Sequence, residues 1–310
     1  VNKMSNPIKV ANAPCSWGAL EFDLDGQAAG ADRVLSEMSR AGFVGTEFGD
    51  WGFLPTDKDG LKAILDKYGL QMIGAFVPVA LWKREAWEKG IETAVRTANL
   101  LASVAERPFI VLADENGSVP ERTKNAGRIR PEQGLTDEQF KTFGEGANAL
   151  ARAVLEMTGV KTVFHHHCAG YIETPAEVEK LLSVTCPDLL GLCLDMGHYR
   201  FGGGDPVEAL KKHADRIWHI HYKDCSVEVA ERARREGLDY FQAVAAGVFC
   251  ELGKGDVDFA AITKILNERN AAGRLPAIDW IVVEQDVLPG MGSPFESAVR
   301  NRQYLKTLGL

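Results

Sequence analysis

Eight short runs of apolar and β-branched residues recur along the chain: KVANAPCSW (9–17), FVGTEFGDW (43–51), LQMIGAFVPV (70–79), PFIVLADENG (108–117), VKTVFHHH (160–167), LLGLCLDMGH (189–198), DRIWHIHYKD (215–224) and DWIVVEQD (279–286). Each is too short for a globular helix and has Gly, Pro, Asn, Asp or another polar residue at or beside its end, so each predicts a buried strand. The segments between them carry apolar residues at helical spacing, as in ADRVLSEMSRAGF, TDKDGLKAILDKYGL, TDEQFKTFGEGANALARAVLEMTGV and DPVEALKKHADRI. Thr56-Asp57 and Thr174-Pro175 stand where helices should start, because a side-chain oxygen there can accept from the free amides of the first turn and proline suits the first helical position.

Strand and helix thus alternate eight times with no shift in composition and no linker. The expectation is one α/β domain over residues 1–310, a closed (β/α)₈ barrel whose site residues project from the C-terminal ends of the strands. A doubly wound open sheet is the weaker alternative, since no GxGxxG follows the first run and polar residues mark nearly every strand end instead of one switch point. The longest departure from a bare barrel is the segment 226–257, placed after the seventh strand, where an insertion would cover or shape a pocket.

Composition narrows the functional classes. With 45% hydrophobic and 25% charged residues, the chain can bury a large core. A net charge of −8 opposes broad phosphate contact, so nucleic acid is a poor partner. No run approaches the ~18 apolar residues of a membrane span, and no basic segment followed by an apolar core marks the start. The six cysteines are dispersed without a CxxC pair, which suits reduced thiols in a cytoplasmic protein. A small polar molecule is the expected partner; a homo-oligomer is compatible with the sequence.

The chemistry concentrates at strand ends. Three of the seven histidines are consecutive, at 165–167. Alternation along a strand places His165 and His167 on one face and His166 on the other, against the helical layer. The sixth run ends in Asp195 and then His198; the seventh carries His219, His221 and Lys223 on one face; the eighth ends in Glu284 and Asp286. Imidazoles and carboxylates from successive strands at one depth predict a divalent-metal site. Glu284, His167 and Glu47 are the candidate bases, and His198, His219 and Lys223 the candidate acids or carbonyl-binding groups. Trp17, Trp51 and Trp82 follow the first three strands, where an indole could stack on a sugar ring or pack the rim. The turn Gly253-Lys254-Gly255-Asp256 reads as a tight turn before a helix, with anion binding the lesser alternative.

The endings FHHH, LDMGHYRFGGGDP, DRIWHIHYKD, FQAVAAGVFCELGKGDVDF and EQD, with PCSWG and GTEFGDWGF near the start, resemble the xylose-isomerase-like superfamily of metal-dependent barrel enzymes, and most closely its keto-polyol dehydratases. The resemblance covers most of the chain. It implies a metal, Mn²⁺ or Co²⁺, held by His165, Asp195, His221 and Glu284. It also implies a dehydratase that removes a proton beside a ketone and then water, with a ketose isomerase or 3-epimerase as the alternative. The superfamily has glutamate where this chain has His165, so one of the two opposed carboxylates of an epimerase is missing, which favours dehydration. After the histidines, the family's Met-Gly-Thr is replaced by Cys168-Ala169-Gly170.

Overall fold

The computed structural model describes residues 7–18, 30–287, 290 and 292–310. Its strands in chain order are β1 (Lys9–Asn12), β2 (Gly45–Glu47), β3 (Gln71–Pro78), β4 (Phe109–Ala113), β5 (Lys161–His165), β6 (Leu190–Asp195), β7 (Ile217–Tyr222), β8 (Asp224–Cys225), β9 (Phe249–Cys250) and β10 (Trp280–Val283). Strands β1 to β7 and β10 close into a barrel in the order β1-β10-β7-β6-β5-β4-β3-β2, all pairs parallel. All eight runs of the sequence pattern therefore become staves. Among the described residues, no helix is long and apolar enough to cross a membrane.

Helix starts follow the local chemistry. Asp57 accepts from the Gly60 amide to begin Lys58–Tyr68, which ends on Gly69 in the left-handed conformation (φ 64°). Thr174 and Glu177 form a capping box at Pro175–Val184, as Thr136 and Gln139 do at Asp137–Thr158.

Parallel strands covered by helices bury both faces. Outward side chains such as Leu192, Leu194, Ile217 and Ile220 join the large core beneath the helices. Inward ones form two smaller clusters, Val111, Val163 and Cys193 with Phe76, Phe109 and Trp218, and Ala11, Ala13, Ile73 and Val282 with Trp280. Two indoles thus fill the N-terminal end of the barrel, and glycines make room for them. A Cβ on Gly191 would lie 2.3 Å from Trp218, and one on Gly45 2.7 Å from Trp280.

Two irregularities set what the barrel presents at its other end. Between β6 and β7, Leu192 pairs with Ile217 but Cys193 with His219, so Trp218 is an extra residue. Between β2 and β3, Thr46 pairs with Met72 but Glu47 with Gly74. Such bulges re-aim the side chains that follow. The first places Asp195 beside His221; at the second the extra residue is Ile73 of β3, and Glu47 faces the interior by alternation from Gly45, the partner of inward Ala11.

The segment 226–257 is largely helical, with Val227–Glu236 and Tyr240–Ala245 followed by β9, which pairs antiparallel with β8. Its closing turn is tied to Asp224, whose carboxylate accepts from the amides of Gly253 (2.8 Å), Gly255 (2.9 Å), Cys225 (2.8 Å) and Val257 (3.2 Å). Those amides are occupied, so the Gly253–Asp256 segment is a turn closed on a carboxylate and not an anion site.

Substituting Gly191→Ala forces Trp218 out of its place, and over-packing of this kind costs about 1–3 kcal/mol. The expected result is a lowered Tm in thermal denaturation; an unchanged Tm would show that Trp218 can repack freely.

Candidate metal centre

Asp195 ends β6 and also caps the helix Met196–Phe201. One carboxylate oxygen accepts from the His198 amide at 2.8 Å, while the other, Oδ2, is buried without a hydrogen bond. Three groups face that free oxygen. His165 Nε2 lies 3.5 Å away and His221 Nδ1 4.0 Å away, and His221 Nδ1 is in turn 3.2 Å from Glu284 Oε1. Ligand atoms of His165, Asp195, His221 and Glu284 all lie within 4.8 Å of one another. Donors sharing one ion at about 2.1 Å stand roughly 3.0–3.5 Å apart, close to the separations here. Both nitrogens of His165, Nδ1 of His221 and Oδ2 of Asp195 are buried without hydrogen-bond partners. Unpaired buried polar atoms are costly, and a divalent cation would satisfy Nε2, Nδ1 and Oδ2 together. The donor set fits the group.

Burial acts on every charge here. It would raise the Asp195 and Glu284 carboxyls, but their neighbours overcome it: the contact with His165 and the charge of Lys223 hold Asp195 down, and His221 and Lys223 hold Glu284 well below the carboxylate range. Burial opposes the charged form of Lys223 too, yet Asp286, Glu284 and Asp195 keep its ammonium well above the usual range. Lys223 Nζ stands 3.4 Å from Glu284 Oε2 and 3.3 Å from Asp286 Oδ2. It is 2% exposed, and the neighbouring Asp224 carboxylate is spent on backbone amides.

The remaining histidines divide by their hydrogen bonds. His166 faces the helical layer as alternation requires, its ring against Tyr199 and its Nε2 accepting from the Asp195 amide at 3.2 Å. His167 donates from Nδ1 to the Cys168 carbonyl, which leaves Nε2 as the acceptor, 3.5 Å from the Tyr240 hydroxyl. Burial lowers both imidazoles to about 3. His198 Nδ1 accepts from the Cys168 amide at 3.3 Å, and its Nε2 lies 3.3 Å from Lys223 Nζ. Burial and the adjoining His167 and Lys223 put its pKa well below the imidazole range.

Three expectations need correction. His219, a candidate for substrate contact, is 1% exposed. Its Nε2 donates to Glu47 Oε1 at 2.8 Å and its ring lies on Phe109, one layer below the mouth. Glu47, a candidate base, is 3% exposed, and the same oxygen also accepts from His221 Nε2 at 2.9 Å. Burial is outweighed by the two imidazoles, which hold its pKa at about 2. Trp17, offered for stacking on a sugar, is buried at the rim with its indole N–H on Glu37 Oε2 at 2.8 Å. Trp51 is 38% exposed and carries the Arg96 guanidinium over its ring at 4.1 Å; Trp82 packs edge-on to Tyr171.

Residues without a strand-end signature complete the site. Tyr240 and Phe249, from the segment after β7, cover His167 and His198, with ring centroids 5.6 and 4.7 Å away, and Lys223 Nζ stands 5.0 Å from the Phe249 ring. Arg122 is fully buried and forks onto Glu177 at 2.7 and 2.8 Å, while also donating to the carbonyls of Gly170 (2.7 Å) and Tyr171 (3.2 Å). It therefore holds the loop that follows the histidine triplet. The capping-box pattern at Thr174 signalled Glu177; nothing in the sequence pointed to its guanidinium partner.

A closed parallel barrel with imidazole and carboxylate donors gathered at its C-terminal mouth defines a class of barrel proteins built to hold a divalent ion. The chain belongs to the xylose isomerase-like TIM barrel family, whose model matches residues 35–293. It is 32% identical to an inosose dehydratase of Geobacillus kaustophilus over 99% of this chain and 97% of that protein. Among solved structures it is similar in fold to L-ribulose 3-epimerase (TM-score 0.67, 16% identity, 97% of this chain and 94% of that one). It is likewise similar to the IolI protein solved with a bound zinc atom (TM-score 0.65, 15% identity, 97% and 98%).

Arg122→Ala strips the buried Glu177 carboxylate of its partner. Breaking a buried pair costs about 3–5 kcal/mol, so the variant should denature at clearly lower urea concentration; an unchanged midpoint would show that the loop is held by other contacts.

Proposed function

We propose that this chain is a metal-dependent hydro-lyase that removes water from a cyclic keto-polyol, with 2-keto-myo-inositol as the substrate. The observation that carries this reading is the convergence of His165, Asp195, His221 and Glu284 on one point. The near full-length likeness to inosose dehydratase supports the choice of reaction. So does His165, which stands where an epimerase would need a second carboxylate.

His165, Asp195, His221 and Glu284 would hold the ion, and their mixed nitrogen and oxygen donors suit Mn²⁺ or Co²⁺. When bound, the ion supplies Lewis acidity to the ketone and to the negative charge that develops on its oxygen. Glu284, with its side chain 14% exposed, is the most accessible of the four groups. It takes the proton from the carbon beside the ketone, and the C–H pair becomes the enolate double bond. The enolate then expels the hydroxyl on the next carbon, and the Lys223 ammonium gives that hydroxyl a proton, so water leaves. The enol that remains tautomerises to a diketone. Glu284 Oε2 and Lys223 Nζ are 3.4 Å apart, so the proton gained by one can return to the other and restore the starting state. Tyr240 and Phe249 limit water at the acid side.

The test is to supply 2-keto-myo-inositol with Mn²⁺ or Co²⁺ and follow diketone formation. Chelation and Asp195→Ala should each abolish turnover. Lys223→Met should lower kcat by about 10²-fold or more, in the range for loss of a general acid, while metal binding persists. Deuterium entering recovered substrate or an epimer from D₂O, with no water lost, would overturn this reading in favour of an epimerase.

A further inference from the structure

Of the histidines at the site, His221 is the one whose two nitrogens face separate carboxylate groups. Nδ1 is turned toward Glu284 and Asp195, and Nε2 lies 2.9 Å from Glu47 Oε1. We propose that Glu47 is a positioning residue for the metal centre: by accepting from Nε2 it fixes the tautomer and ring plane of His221, so that the Nδ1 lone pair points at the cation. The proposal rests on the reading that His165, Asp195, His221 and Glu284 hold a metal.

A neutral imidazole has one N–H and one lone pair, and an ionised carboxylate only accepts. With Glu47 ionised, the Nε2 of His221 must carry the proton, and Nδ1 is left free to ligate. His219 gives the same oxygen a second donor at 2.8 Å. The carboxylate is thereby anchored from two points of β7, although it arrives from β2, three places away around the barrel. Glu47 is 3% exposed and beneath the ligand layer, so it does not reach substrate. Carboxylates behind ligating histidines raise ligand basicity and hold ring orientation, and their loss typically weakens metal affinity 10–100-fold. The trio Glu47, His219 and His221 could in geometry hold a second cation. Against that, Glu47 Oε1 already has two donors at hydrogen-bonding distance, and no orphaned atom of Glu47 or His219 is present.

The experiment is a titration of the metal-free full chain with Co²⁺, read by visible absorption and calorimetry. The parent should bind one ion per chain. Glu47→Gln should bind one ion 10–100-fold more weakly, with an altered absorption spectrum, while His219→Gln, which leaves the Glu47–His221 contact, should weaken binding only a few-fold. If Glu47→Gln folds poorly, Glu47→Asp should show the same loss to a smaller degree. Parent-like affinity and spectrum in both Glu47 variants would overturn the proposal, provided Asp195→Ala is strongly impaired. Two ions per parent chain and one in Glu47→Gln would overturn it too, by making Glu47 a ligand. Unimpaired binding by Asp195→Ala would instead overturn the metal site on which the proposal depends.

Discussion

Register is the constraint on which the site depends. In a parallel sheet, paired residues point to the same side, so a metal ligand on β6 can meet one on β7 only if the strands are aligned to the residue. Without the extra residue at Trp218, the stave would turn by one and His221 would face the helices, where Ile220 now lies. The bulge thus does two jobs at once. It sets Asp195 beside His221, and its own indole fills the barrel's N-terminal end against Gly191. Glu47, at the end of β2, reaches both imidazoles of β7 from three places away around the barrel.

Charge is the second constraint. Glu47, Asp195, Glu284 and Asp286 are gathered with Lys223 and a group of histidines in a space largely closed to water. Isolated, each would be neutralised or expelled. Together they divide into pairs: Glu47 with the two β7 imidazoles, Asp286 and Glu284 with Lys223, and Asp195 shared between a helix amide and a free oxygen. Of the buried atoms left without hydrogen bonds, His165 Nε2, His221 Nδ1 and Asp195 Oδ2 lie about one place, whereas His165 Nδ1 and His166 Nδ1 stand apart from it. That asymmetry supports a bound cation better than the mere presence of histidines does, because six of the seven histidines lie in this region and only two of them belong to the ligand set.

The barrel was legible in the sequence because eight apolar runs separated by capped helices admit few architectures. A gathering of donors was legible for a related reason: strand ends at one depth of a barrel must converge, while the choice of four ligands among them came from the family resemblance. Roles within the cluster were not legible. Glu47, His219 and Trp17 look the same in sequence whether they face a substrate or another side chain, and only the packing of the closed barrel decides. Arg122 was invisible because its partner lies 55 residues away and because a lysine or arginine on a short helix ordinarily faces solvent. Tyr240 and Phe249 belong to a segment whose length signalled a pocket wall, but not which rings would form it.

The loop after the histidine triplet shows how such a site is kept in place. Ala169 has φ 70°, and it is the one non-glycine residue with positive φ among those described; for an alanine this conformation costs roughly 1–2 kcal/mol. Glycine would take this conformation without that cost. Three contacts hold it: the Ala169 amide donates to Glu173 at 2.9 Å, its carbonyl accepts from Gly117 at 3.0 Å, and Arg122 grips the next carbonyl. At Gly170 a Cβ would lie 2.3 Å from the Asn116 amide oxygen, so no larger residue could be accommodated there without moving that side chain. The histidines keep their places because the backbone beyond them is held from both sides.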